Sequence, residues 1–184
     1  MSRKIVFCLI AMFFSLSCSA QFVLTPNGFV SSTDTSKIFT VAPFDSLSQK
    51  ALFNKTMMYL NTIYVSPKDV ISSVDSSSIT INGIKNNCIF RNDLHVFDMN
   101  YTINIQFKNG RIRVNRPYFT LTNSTGTNFQ TMYIKANTTL NASTMGIWNE
   151  KGELKAKRVK KELEDYFNSF LDKLIKGISI KNDW

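Results

Sequence analysis

The sequence predicts an α+β domain in which an antiparallel sheet is covered by helices. Three observations carry that reading. Between Phe97 and Lys108 apolar and polar residues alternate without a break, Asn109-Gly110 follows at once, and a stretch of helical period with one apolar face closes the chain. The 184 residues are 43% hydrophobic and 19% charged, enough for one ordinary domain whose core needs no disulfide staple or structural metal. Those proportions exclude a disordered or collagen-like chain.

Residues 1–20 read as a secretory signal peptide. Arg3 and Lys4 form its basic end, Ile5 to Phe14 its apolar middle, and Cys18 and Ala20 the small residues before a cut that leaves Gln21 first. The apolar run falls short of the roughly 20 residues that span a bilayer, so the expectation is an exported protein, periplasmic or secreted. In the alternative, Leu16-Ser17-Cys18 is a lipoprotein box and Cys18 carries a lipid, although Ser15 stands where such boxes want a large aliphatic residue. Membrane contact is expected only in that case. Cleavage removes two cations and no acids, so the formal charge of +9 falls by two, to +7. Cys8 and Cys18 leave with the leader, and Cys88 reads as a small residue of a strand.

The elements follow in order across a single domain from 21 to 184. Phe22-Val23-Leu24 and Phe29-Val30 flank Pro26-Asn27-Gly28 as an opening hairpin, and Lys37 to Val41 is a short strand ended by Pro43. Ser46-Leu47-Ser48-Gln49 fits a capping box, and Phe53, Met57, Leu60 and Tyr64 then mark one helical stripe, stopped by Pro67. Val70–Val74 and Ile79–Phe90 are strands joined through Asp75-Ser76-Ser77-Ser78, with a bulge at Asn82-Gly83.

The alternating strand has Phe97, Met99, Tyr101, Ile103, Ile105 and Phe107 on its dry face. Asn109-Gly110, as a type I′ turn, sets Phe107 opposite Ile112 and Ile105 opposite Val114, which keeps both apolar sets together. The same register puts Lys108 beside Arg111 and Gln106 beside Arg113 on the wet face. Arg116 would fall opposite Ile103 on the apolar side, so regular pairing ends or bulges before Pro117. From 120 to 146 the composition turns to threonine, asparagine and serine, and a long polar loop is expected. The last helix runs from Asn149 to Lys176. Val159, Leu163, Tyr166, Phe167, Phe170, Leu171, Leu174 and Ile178 form its dry face and Lys157, Lys160, Lys161, Glu164 and Asp172 its wet one, with Gly177 as its end.

No catalytic residue, metal ligand set or cofactor motif emerges. His95 with Asp93 and Asp98 has the wrong spacing for one strand face, since 93 and 95 share a face and 98 does not. No Gly-x-Ser-x-Gly elbow accompanies the serines, and the seven glycines are too scattered for a phosphate loop. Paired aspartates for glycan hydrolysis need no motif, so Asp69, Asp75, Asp93 and Asp98 stay as candidates in principle. Nucleic acid is not expected as a partner, because the hairpin's aromatics lie on the dry face and its cations on the wet one.

The helix Ser46–Tyr64, the hinge Ser66-Pro67-Lys68-Asp69-Val70-Ile71 and above all the run from Tyr101 through Asn109-Gly110 to Arg113 resemble the domain of unknown function 4468, a family of exported Bacteroidetes proteins with a TATA-binding-protein-like (TBP-like) fold. The resemblance covers Phe22 to Phe119 and the final helix. It implies a curved antiparallel sheet with the capped N-terminal helix and the long C-terminal helix packed on one face. It carries no established activity, cofactor or catalytic residue. The 120–146 stretch departs from the family's pattern.

The functional expectation is therefore a non-enzymatic binding or interaction module of the cell envelope, with a glycan hydrolase or a lipid-anchored envelope protein as alternatives. Its partner is expected to be an envelope protein or an anionic ligand. Gln106, Lys108, Arg111, Arg113 and Asn115 on the wet face are the candidate ligand-binding residues. Mass spectrometry of the mature chain should find Gln21 as its first residue, and a lipid-modified Cys18 would overturn the soluble form.

Overall fold

A computed structural model describes residues 21–123, 130–136 and 145–180. The leader and the Cys18 question lie outside the described residues. Strands β1 (Phe22–Thr25) and β2 (Gly28–Ser31) form the opening hairpin, and β3 (Phe39–Pro43) precedes helix α1 (Gln49–Ile63). The short helix α2 (Pro67–Val70) leads into β4 (Ile71–Val74), β5 (Ser78–Phe90), β6 (Val96–Lys108), β7 (Arg111–Asn115) and β8 (Tyr118–Asn123). Strands β9 (Gln130–Lys135) and β10 (Met145–Trp148) follow, and helix α3 (Lys157–Ser179) closes the fold.

Strand β6 is the spine. Its apolar residues Phe97, Met99, Tyr101, Ile103, Ile105 and Phe107 are all buried. One edge carries β5 along its length, while the other carries β7 beside 105–108 and β8 beside 98–102. The gap between those partners is Arg116-Pro117, where pairing was expected to end, because proline has no N–H for the ladder. Phe107 faces Ile112 and Ile105 faces Val114, as the alternation requires. Strand β3 extends the sheet beyond β7, and β9 and β10 extend it beyond β8, giving eight strands.

Several local expectations are corrected. Of the expected polar loop at 120–146, residues 124–129 and 137–144 lie outside the described residues, and the rest holds most of β8, all of β9 and the start of β10, with Leu121 and Met132 buried. Threonine suits a pleated surface as well as it suits a loop, and these strands are too short for their alternation to stand out. Strands β9 and β10 also pair in parallel, the exception in an antiparallel sheet. At Asn109-Gly110 only Gly110 has positive φ, at 74°, so the turn is not type I′. The paired positive φ values fall at Asp75 and Ser76, closed by Ser77 N–H donating to Val74 O at 2.7 Å.

Strand β5 passes Asn82-Gly83 in regular register, and its irregularity lies between Lys85 and Ile89, where Asn87 takes φ 48°. Gly83 is required for space, since a Cβ there would overlap the Tyr101 ring lying across it. The cap of α1 is Ser48 and not Ser46: its Oγ accepts the Ala51 N–H at 3.2 Å. Gln49 is diverted to the two turns, its N–H donating to Asn109 Oδ1 at 2.8 Å and its side-chain amide to Ser76 O at 3.3 Å. Of the expected α1 stripe Leu60 is buried, together with Leu52 and Thr56, while Phe53, Met57 and Tyr64 are half-buried against the core.

Helix α3 begins at Lys157, eight residues later than the periodicity suggested. Asn149 and Glu153 close a tight turn through Gly152 (φ 81°), and Lys155 and Ala156 donate their N–H groups to Ile147 O. Gly177 does not end the helix. It lies inside it, where a Cβ would overlap the Tyr59 ring of α1. On the dry face of α3 six of the eight expected residues are buried and Tyr166 and Phe170 are half-buried, with Phe167 edge-on to Phe29 at 5.2 Å and to Tyr101 at 6.0 Å.

The opening hairpin is tied to α3 by side chains that imitate a neighbouring strand. Phe22 N–H donates to Asn168 Oδ1 at 2.8 Å, Asn168 Nδ2 donates to Phe22 O at 3.0 Å, and Leu24 N–H donates to Glu164 Oε1 at 2.8 Å. Replacing Asn168→Ala strips partners from both backbone groups of Phe22 and is expected to cost about 1–3 kcal/mol in urea unfolding. Thr56 is fully buried, with no hydrogen-bond partner for its hydroxyl among the described residues. Thr56→Val keeps the shape, removes the orphan group and is expected to raise stability by about 1 kcal/mol in the same assay.

Candidate functional site

Helices α1 and α3 cover the dry side of the sheet, which leaves its other side open. On that open side the five expected residues come together through the β6–β7 register. Lys108 pairs with Arg111 and Gln106 with Arg113, and Asn115 follows two residues on. Gln106, Lys108, Arg111 and Arg113 are exposed and Asn115 is half-buried. Strand β3 completes the surface, placing Pro43 beside Arg111, Val41 beside Arg113 and Phe39 beside Asn115.

Gln106, Lys108, Arg111 and Arg113 with Phe39 and Val41 border a depression of about 550 Å³, closed on its other side by Ser77 and Ser78. Arg113 is fixed. Its guanidinium lies 3.9 Å from the Phe39 ring centroid and its Nε donates to Asn115 Oδ1 at 2.9 Å. Asn115 in turn donates to Asn104 Oδ1 at 2.7 Å, and Asn104 donates to Thr80 Oγ1 at 3.0 Å. A chain of polar contacts thus runs across β7, β6 and β5. The ion pairs among the described residues involve neither Lys108, Arg111 nor Arg113.

Phe39 and Val41 were missed as site residues. Their strand is legible in the sequence, but nothing there says that it pairs with β7 or which face it turns outward. Phe39 and the exposed Tyr118 also bring aromatic rings to the open face, so the separation of rings from cations in the hairpin does not extend to the whole sheet. Arg116 leans on Tyr118, 5.2 Å from its ring centroid, and donates to Asn27 O at 3.3 Å.

The other candidates are dispersed. His95 Nδ1 lies 2.9 Å from Asn92 Oδ1, which also accepts the His95 and Leu94 N–H groups in a local turn. Asp93 faces Arg158 at 3.5 Å, Asp98 accepts the Asn87 N–H at 2.6 Å, Asp69 lies on α2 and Asp75 in the β4–β5 turn. Cys88 Sγ donates to Lys85 O at 3.2 Å, and burial pushes its thiol up from the ordinary value. Among the described residues no three His, Cys, Asp or Glu side chains are grouped to hold a metal ion. No helix among them is long and apolar enough to cross a membrane.

No protein-family model matches the chain, and no curated protein matches it either. Solved structures do. A TBP-like protein from Parabacteroides distasonis superposes with a TM-score of 0.52 at 12% identity, over 74% of this chain and 90% of that one. A DUF4468 family protein from Bacteroides ovatus gives 0.51 at 13% identity, over 79% of this chain and 87% of that one. Identities this low speak to architecture and leave activity aside. The chain therefore has the TBP-like α+β fold, shared with a crystal structure from the very family that its capped helix and central hairpin resemble.

Proposed function

We propose that the open face of the sheet is a binding surface for an anionic ligand, and that the protein is a non-enzymatic binding module acting outside the cytoplasm. One observation carries the reading: Lys108 and Arg111 stand directly opposite each other on β6 and β7, with no ion pair to either among the described residues. Like charges in cross-strand register destabilise a sheet, and an anion between them would reverse the sign of that interaction. Arg113 stands two residues from Arg111 on the same face, already braced by Phe39 and Asn115, so it presents charge without first being ordered. The depression they border falls within the range of small-molecule sites. The leader-like residues 1–20 support the location, in the periplasm or beyond the cell.

Binding to an immobilised sulfated polysaccharide tests the proposal. The variant Arg111→Ala with Arg113→Ala should elute at lower salt than the parent and bind about tenfold more weakly at low ionic strength, with the difference shrinking as salt rises. Lys157→Ala with Lys176→Ala removes the same charge from α3 on the other side of the sheet and should elute close to the parent. Equal losses in the two double variants, or none in the first, would sink the proposal.

A further inference from the structure

A second concave site lies on the helix side of the sheet. Helices α1 and α3 touch where Tyr59 lies against Gly177. Beyond that contact they leave between them a cleft of about 700 Å³ floored by β5 and β6. The β5 irregularity with its positive-φ Asn87 lies at this rim, and such bulges gather beside binding sites. Ile63, Ile89, Phe90 and Phe170 supply apolar wall, and four phenols line the cleft, Tyr101 from the floor and Tyr59, Tyr64 and Tyr166 from the helices and their ends. The hydroxyls of Tyr64 and Tyr101 are 3.2 Å apart, and the Tyr166 ring meets the Tyr101 ring edge-on at 5.5 Å.

Charge at the cleft is unbalanced. Glu162 and Asp165 both reach it, but each is already engaged. Arg158 Nε donates to Glu162 Oε1 at 2.9 Å, the Phe90 N–H donates to Glu162 Oε2 at 2.6 Å, and Lys161 holds Asp165. Lys85 and Lys173 have no ion pair among the described residues, and Lys85 Nζ stands 4.6 Å from the centroid of the Tyr166 ring. Burial and the neighbouring phenols hold Tyr64 and Tyr166 above the ordinary phenol range, so both keep a proton to donate. Apolar walls, phenolic donors and a net positive remainder define the guest.

The geometry points to a binding site for an amphipathic carboxylate, its apolar body between Ile63, Phe90 and Phe170 and its carboxylate on the hydroxyls of Tyr101 and Tyr166 beside Lys85. A neutral lipid of the same shape would leave the lysines uncompensated and the donors without a charged acceptor. This site is separate from the cationic face and stands or falls apart from it.

Titrating the purified protein with a dansyl-labelled fatty acid tests the inference. Saturable one-to-one binding is expected, displaced by oleate and at least about tenfold less well by oleyl alcohol. Tyr101→Phe with Tyr166→Phe keeps both rings and should weaken binding by about tenfold, and Lys85→Met, at an exposed position, should weaken it independently if the tyrosine variant fails to fold. Arg111→Ala with Arg113→Ala should bind the probe as the parent does. No saturable binding, equal displacement by the alcohol, or unchanged affinity in both the tyrosine and lysine variants would overturn it.

Discussion

The two-sided pairing of β6 is the constraint from which the rest of the structure follows. Its six dry-face side chains are buried, each contributing about 1.5–3 kcal/mol by leaving water, and a slip of one residue would turn all six outward at once. The register is therefore held firmly by β5 on one edge and by β7 and β8 on the other. Handing one edge from β7 to β8 at Arg116-Pro117 lets a single strand organise both ends of the sheet. The β4–β5 and β6–β7 turns, neighbours at one end of the sheet, are then clasped by the start of α1 through Gln49.

That arrangement divides the molecule into two unlike surfaces. On one side the helices bury an aromatic cluster in which Phe167 meets Phe29, Phe119, Tyr101 and Tyr166. On the other, amide and hydroxyl side chains link β5, β6 and β7 and end in Arg113. Tyr101 belongs to the buried set by register. It turns its hydroxyl toward Tyr64 at the edge of the helical layer only because Gly83 leaves room for its ring. Packing and candidate chemistry thus meet in one residue.

Much of this was legible from local pattern. Strict alternation from Phe97 to Phe107, the Asn-Gly turn and the apolar face of α3 each placed an element, and together they placed Gln106, Lys108, Arg111 and Arg113 on one face. What stayed hidden depends on contacts remote in sequence. Ser46 and Ser48 are equally good caps until Gln49 is drawn to Ser76 and Asn109. Gly83 and Gly177 look like a bulge and a stop, yet both are glycine because a tyrosine from another element lies across them. The strands β9 and β10 are short, and their membership of the sheet rests on neighbours that no local window contains. The α1–α3 cleft is likewise invisible before the helices are docked.

The amide of Asn168 has a consequence beyond holding the hairpin. An exposed strand edge is a template on which another chain can add itself, and proteins that must stay dispersed at high concentration blunt such edges. Here both backbone groups of Phe22 and the N–H of Leu24 are occupied by Asn168 and Glu164 of the same molecule. The first strand of the fold is thereby closed to recruitment by a neighbour, and fibrillar growth from that end is denied its first rung.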